Sequence, residues 1–296
     1  MLNTHNQRQF SAVICYASNI HQDKLKDMTY KKLVKQIKDK KSFLCIGLDT
    51  DITKIPQHLL KYKNPILEFN KQIIDATHDL CIAYKPNVAF YEVDGEKGWK
   101  TLSETIKYIP DGILSIADAK RGDMGNSAKM YARAFFETLN VDAITLQPYQ
   151  GEDAMKAFLN YKNKWSIILG LTSNSGSNDF QFQKVKTKPL YRLVIEKCME
   201  WGTKENLMFV VGATHEKTFK EIREYCPENF LLVPGIGHQG GDFDKIVNSG
   251  INKNCGLIMS SSRQIIYASN GKDFAEKARI EAISWNEKMK STLKMK

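Results

Sequence analysis

The segment Asp118-Ala119-Lys120-Arg121-Gly122-Asp123 brings two carboxylates and two cations into six positions. At the end of a β-strand, residues two apart point to one face, so Asp118 and Lys120 should project together. Lys85 closes another apolar run, Cys81–Asn87, and becomes their neighbour if that run lies alongside. Asp123 falls beyond the strand and must enter from a loop or a helix start. A lysine forms a Schiff base only as the neutral amine, whereas flanking carboxylates favour its ammonium form. The cluster is therefore suited to donating a proton or stabilising a developing anion. A fixed carboxylate beside it repels an anionic substrate group and favours its departure. Together they suit loss of a carboxylate, followed by protonation of the resulting carbanion by Lys120. An Asp and a Lys two apart also form plain structural ion pairs, and spacing alone leaves that reading open.

A second set of residues looks built for an anion. Pro234-Gly235-Ile236-Gly237-His238-Gln239-Gly240-Gly241-Asp242 is glycine-rich, and Ser260-Ser261-Ser262-Arg263 ends in a guanidinium. Glycines let the backbone approach a ligand closely, and free amides at a helix start bind anions. Arg263 offers a forked donor matched to phosphate. His238 is assigned no role. The stretch Leu171–Phe180 (LTSNSGSNDF) is rich in Ser, Asn and Gly. It reads equally as a loop that closes over a substrate and as an ordinary polar connection.

These groups need a scaffold that gathers strand ends. Apolar runs occur at Ser42–Asp49, Cys81–Asn87, Ile113–Lys120, Ala143–Pro148, Ser166–Ser173, Leu207–Ala213, Phe230–Gly237 and Cys255–Ser262. Between them, helical periodicity appears over Pro65–Leu80, Gly95–Tyr108, Met124–Leu139, Gly151–Tyr161, Pro189–Trp201, His215–Tyr225 and Asp242–Ser249. Continuous apolar strands alternating with amphipathic helices mean a parallel sheet covered on both faces. Eight such units predict an α/β fold, a closed (β/α)₈ TIM barrel in a single domain, with its site at the C-terminal ends of the strands. Polar residues collect there: Asp49, Lys85 with Asn87, Asp118 with Lys120, Thr172 with Ser173, and Ser260 to Arg263. Gln147 and Thr214 are explained as ordinary strand ends. No GxGxxG or GxxxxGK[ST] motif follows the first strand, which weighs against a dinucleotide or P-loop site. The loops after the seventh and eighth strands are where barrels frequently bind phosphate.

The chain has 296 residues, 42% hydrophobic and 26% charged, which excludes a largely disordered or collagen-like protein. No apolar run approaches the ~20 residues of a membrane span. The formal charge of +10 is concentrated at the ends: residues 1–41 carry +6, residues 285–296 carry +3, and the body carries +1. That distribution argues against a nucleic-acid-binding face. Six widely spaced cysteines form no CxxC pair, so neither a disulfide framework nor a zinc site is expected and a reducing cytoplasm is the default. Residues 1–27 are polar and weakly patterned, and read as a disordered extension or a start assigned too early. The catalytic barrel is expected over residues 28–296. It opens with a helix over Thr29–Lys40 and closes with one over 272–292, which aligns Phe274, Ala278, Ala282 and Trp285 on one face.

From about Ser42 to Tyr267 the chain resembles the orotidine 5′-phosphate decarboxylases, and its KPN and DAKRGD elements look like the longer bacterial subgroup. The most specific element is DAKRGDMGNS at 118–127, similar to that family's D-x-K-x-x-D signature. GLD at 47–49, KPN at 85–87, TSNSGS at 172–177, VPGIGHQGGD at 233–242 and SSSR at 260–263 add to it. The resemblance implies conversion of orotidine 5′-phosphate to UMP and CO₂ by a cytoplasmic homodimer with shared sites, needing neither cofactor nor metal. Lys120 would protonate C6, with Asp118 beside the departing carboxylate. Asp123 and Ser127 would come from the partner subunit. Lys85 and Asp49 would hold the ribose hydroxyls and the charge network, and Ser173 the pyrimidine. Gln239 and Arg263 would hold the phosphate, with Ser262 beside them. The chain departs from the family pattern at Met124, Ser127, Ser175 and His238, where Ile, Thr, Pro and Ala are usual. Rival readings are metal-dependent sugar-phosphate decarboxylases or aldol-type synthases of the same superfamily, a Schiff-base aldolase centred on Lys120, and, remotely, a nucleic-acid-binding protein.

Overall fold

A computed structural model describes residues 27–236 and 242–294. The expectation for residues 1–27 therefore lies, apart from Asp27, outside the described residues.

Eight parallel strands close into a barrel: β1 (Leu44–Leu48), β2 (Ala83–Pro86), β3 (Leu114–Arg121), β4 (Ala143–Leu146), β5 (Trp165–Leu171), β6 (Leu207–Val211), β7 (Leu231–Pro234) and β8 (Leu257–Ser261). Neighbours in sequence are neighbours in space, and β8 pairs back onto β1 through Leu44 with Met259 and Cys45 with Ser260. β1, β2, β4, β6 and β8 are buried at every position. Residues such as Ile46, Ile116, Ile167 and Leu257 are inaccessible on either side of the sheet. That burial is the physical content of the continuous apolar runs.

The helices start where their local chemistry allows. α1 (Tyr30–Lys40) has Thr29 as N-cap, accepting from the Lys32 amide, and buries Tyr30, Leu33 and Ile37. It closes the end of the barrel where the strands begin. There the Trp165 indole donates to the Met28 carbonyl, and the Tyr30 ring packs against Phe230 with centroids 5.4 Å apart. α2 (Pro65–Thr77) has Asn64 as N-cap and proline at its first position, where no amide is needed. α3 (Gly95–Tyr108), α4 (Gly125–Arg133), α5 (Glu152–Leu159), α6 (Leu190–Trp201), α7 (Phe219–Tyr225) and α8 (Phe243–Gly250) complete the outer ring. α9 (Phe274–Lys294) buries Phe274, Ala278, Ala282, Trp285 and Met289. No helix among the described residues is long and apolar enough to cross a membrane.

Two helices differ from their periodicity. The run predicted as Met124–Leu139 is α-helical only to Arg133 and continues as one π-helical turn, Ala134–Thr138. The run predicted from His215 becomes α-helical at Phe219, because His215 leaves helical geometry. Its ring nitrogen instead lies 2.7 Å from the Thr172 carbonyl at the end of β5.

Candidate active site

The charged cluster sits where β2, β3 and β4 end. Ser115 and Asp142 fasten the start of the β3–β4 pair: the Ser115 amide and hydroxyl both donate to Asp142, at 2.9 and 2.6 Å. Pairing stays regular through Ala117 with Ile144, then resumes only at Arg121 with Leu146. Four steps along β3 thus face two along β4, and the excess forms a bulge. Lys120 lies in it with φ of 48°, the left-handed region that L-residues disfavour. Gly122 follows because a Cβ there would sit 2.9 Å from the Gln147 carbonyl oxygen. Simple strand alternation therefore does not explain why Asp118 and Lys120 meet. They meet because the bulge turns the chain at Lys120.

Asp118 stands between two lysines. Its Oδ2 accepts from Lys85 Nζ at 2.7 Å, and its Oδ1 from Lys120 Nζ at 2.5 Å. Oδ1 also accepts from the Thr145 hydroxyl at 3.0 Å. Lys85 and Asp118 are nearly buried, with side chains 8% and 11% exposed, whereas Lys120 is 46% exposed and reaches into the cavity. Burial disfavours the charge on Lys85, but Asp118 and then Asp49 outweigh it and raise its pKa above the ordinary lysine value. Burial likewise opposes ionisation of Asp118, yet Lys85 and Lys120 hold its carboxyl well below the usual carboxylate range. The site thus holds a buried Lys85–Asp118 ion pair with Lys120 Nζ at its rim.

Two cavities share Lys85 and Asp118 in their walls. The larger, about 720 Å³, runs from Lys120 and Thr145 to an apolar wall of Leu169, Val210, Leu232, Tyr191 and Val194. Ser173 lines it, held from below by Thr214, whose hydroxyl donates to the Ser173 carbonyl at 3.3 Å. Gly212 makes this approach possible, since a Cβ there would lie 2.6 Å from the Ser173 amide nitrogen. The smaller cavity, about 180 Å³, is bounded by Asp49, Gly235, Ser262 and Arg263. Asp49 Oδ1 is buried there with no hydrogen-bond partner among the described residues, an acceptor open to a ligand hydroxyl. Arg263 is exposed and makes no ion pair among the described residues. An apolar slot beside a cation–carboxylate cluster, with a guanidinium at the far end, fits a flat ring joined to an anionic tail.

The structure brings Lys85, Asp118, Lys120, Asp49, Ser173, Ser262 and Arg263 to these cavities. The Ser262 hydroxyl already donates to the Gly47 carbonyl at 3.2 Å, so it also ties β8 to β1. Asp123 and Ser127 line neither cavity. Asp123 accepts from the Met124 amide at 2.8 Å, and Ser127 is exposed on the first turn of α4. Met124, Met130, Tyr131 and Tyr149 are exposed on the same segments and the following strand end. Gln239 and His238 lie outside the described residues. Gln147, explained from sequence as an ordinary strand end, lines the larger cavity. Thr214 supports the site through Ser173. The segment over 171–180 contributes Thr172, Ser173, Asn174 and Phe180 to the cavity wall and contains a helical turn at Ser177–Phe180. It is tied at its base by Gln181, which accepts from the Thr172 amide and donates to its hydroxyl. Sequence reading also missed Thr145, though a lone hydroxyl inside the apolar run of β4 was a usable signal.

A family model described as "Orotidine 5'-phosphate decarboxylase / HUMPS family" matches residues 42–278. A protein of Christiangramia forsetii named orotidine 5′-phosphate decarboxylase is 53% identical over 270 residues, covering 90% of this chain and 99% of that protein. One of the same name from Flavobacterium johnsoniae is 54% identical over 266 residues, covering 88% and 97%. The solved structure of Leishmania donovani OMP decarboxylase superposes with a TM-score of 0.74 at 34% identity, over 88% of this chain and all of that one.

Proposed function

The chain belongs to the orotidine 5′-phosphate decarboxylase / HUMPS family, as a carboxy-lyase converting orotidine 5′-phosphate to UMP and CO₂, and on that premise we propose that Lys120 is the acid that protonates C6. The observation that carries this reading is the Lys85–Asp118–Lys120 chain at the mouth of the barrel, with Lys120 alone reaching into open space. The pyrimidine lies in the larger cavity against Ser173, and the ribose against Asp49 and Lys85. The phosphate lies at Arg263 beside Ser262, with Gln239 completing its ligands. As the C6–carboxylate bond breaks, its electron pair stays on C6 and CO₂ departs. Lys120 Nζ then gives a proton to C6, leaving a neutral amine that solvent reprotonates. Asp118 repels the substrate carboxylate in the ground state and orients the ammonium that replaces it. Charges fixed before the reaction need no reorganisation during it. The distant phosphate supplies binding energy that positions the reacting carbon. No step calls on a cofactor or metal.

The active unit is a homodimer in which Asp123 and Ser127 enter the partner's site. Ser127 is exposed beside Met124, Met130 and Tyr131, and neither it nor the half-buried Asp123 lines the chain's own cavities, which supports this. Cys45, Cys81, Cys198 and Cys226 are buried free thiols, which supports a cytoplasmic location. The test is an ultraviolet assay with orotidine 5′-phosphate in EDTA, beside Lys120→Ala. UMP formation by the wild type and none by the variant is expected. Turnover by Lys120→Ala at the wild-type rate would overturn the assignment of the acid, and metal-dependent turnover would overturn the cofactor-free reading.

A further inference from the structure

The geometry points to Thr145 as a further positioning residue for this reaction, coupling the backbone turn at Lys120 to the carboxylate of Asp118. The inference rests on Lys120 being the acid. Lys120 occupies a left-handed conformation inside the β3 bulge, so its amide has no regular strand partner. That amide donates to Thr145 Oγ1 at 2.9 Å. The hydroxyl oxygen is thereby used as an acceptor, and its single proton is directed to Asp118 Oδ1 at 3.0 Å. The same carboxylate oxygen receives Lys120 Nζ. Thr145 is 1% exposed at the centre of β4 and is paired in register with Ile167 of β5, so its side chain is set by the barrel wall. One buried hydroxyl therefore holds both ends of Lys120: the main chain directly, and the ammonium through Asp118.

Valine preserves the shape and β-branching of Thr145 but leaves the Lys120 amide and one Asp118 lone pair without this partner. Steady-state kinetics of Thr145→Val, Thr145→Ser and Lys120→Ala, with UMP affinity by calorimetry and a thermal melt, test the inference. A displacement of the reacting group by an ångström costs ~100-fold in rate, so kcat should fall by roughly that factor in Thr145→Val. KM and the UMP Kd should change by less than ~3-fold, because the phosphate contacts are untouched. Thr145→Ser should restore kcat to within ~3-fold of wild type, since it returns the hydroxyl. If Thr145→Val does not fold, the Thr145→Ser and Thr145→Ala pair makes the same comparison. Wild-type kcat without the hydroxyl, an equal loss in the serine variant, or UMP affinity and melting temperature falling in step with kcat would each overturn the role. An active Lys120→Ala would instead remove the premise. Inactive Lys120→Ala beside a fully active Thr145→Val would refute this inference alone.

Discussion

Replacing Asp118 with asparagine keeps the shape of the side chain and removes one charge, which separates the two lysines it serves. Lys120 is 46% exposed, so screening limits its pair with Asp118 to at most ~1 kcal/mol. Lys85 and Asp118 are only 8% and 11% exposed, and removing one partner of such a buried pair costs about 3–5 kcal/mol. With Asp118 gone, burial acts on Lys85 against only the more modest support of Asp49. At ~2–4 °C per kcal/mol for a protein of this size class, Asp118→Asn should lower Tm by roughly 6–20 °C. The effect must depend on pH in one direction. The Asp118 carboxyl is held below its unfolded value of ~3.9, so its contribution is complete above that pH and is lost as pH falls through the folded value. The gap in stability between wild type and Asp118→Asn should therefore be constant from about pH 5 to neutral pH and narrow below about pH 4. Calorimetry from acid to neutral pH reads both quantities. Adding Lys85→Met should recover part of the loss, because no buried charge then remains unpaired. A neutral-pH Tm unmoved by Asp118→Asn, or a gap that widens on acidification, would refute the reasoning.

Two further outcomes follow from the same geometry. If Asp123 completes the partner's site, mixing inactive Lys120→Ala and Asp123→Ala subunits after dissociation should restore roughly a quarter of wild-type activity, since half the dimers are mixed and each has one intact site. Activity that stays at the level of the parents shows that each site is built from one chain. At the opposite end of the barrel, Arg223 donates to the carbonyls of Gly250, Cys226, Asn229 and Gly256 at 2.6–2.9 Å. Arg223→Met deletes all four bonds and should destabilise by about 3 kcal/mol or more in urea unfolding, while KM stays at its wild-type value. A large change in KM would show that this end is coupled to the site.

The barrel was legible in the sequence because its determinants are local. A strand buried on both faces must be apolar throughout, as in Leu44–Leu48 and Leu207–Val211, and the Asn64-Pro65 pair marks a helix start whatever surrounds it. Lys85, Asp118 and Lys120 were legible for the opposite reason: charge at the end of an apolar strand is costly unless it is used. The tertiary structure decided what depends on pairing between distant segments. Whether β3 bulges between Ala117 and Arg121 is set by its register with β4, and no periodicity within residues 114–121 encodes it. Thr145 became a site residue only because that bulge presents the Lys120 amide to it. Gln147 joined the cavity and the Ser262 hydroxyl was drawn to Gly47 by the same kind of contact across strands. Sequence alone thus determined which residues carry charge to the strand ends. Only the closed barrel decided how their donors and acceptors are shared, because hydrogen-bond partners are chosen by position in space and not by distance along the chain.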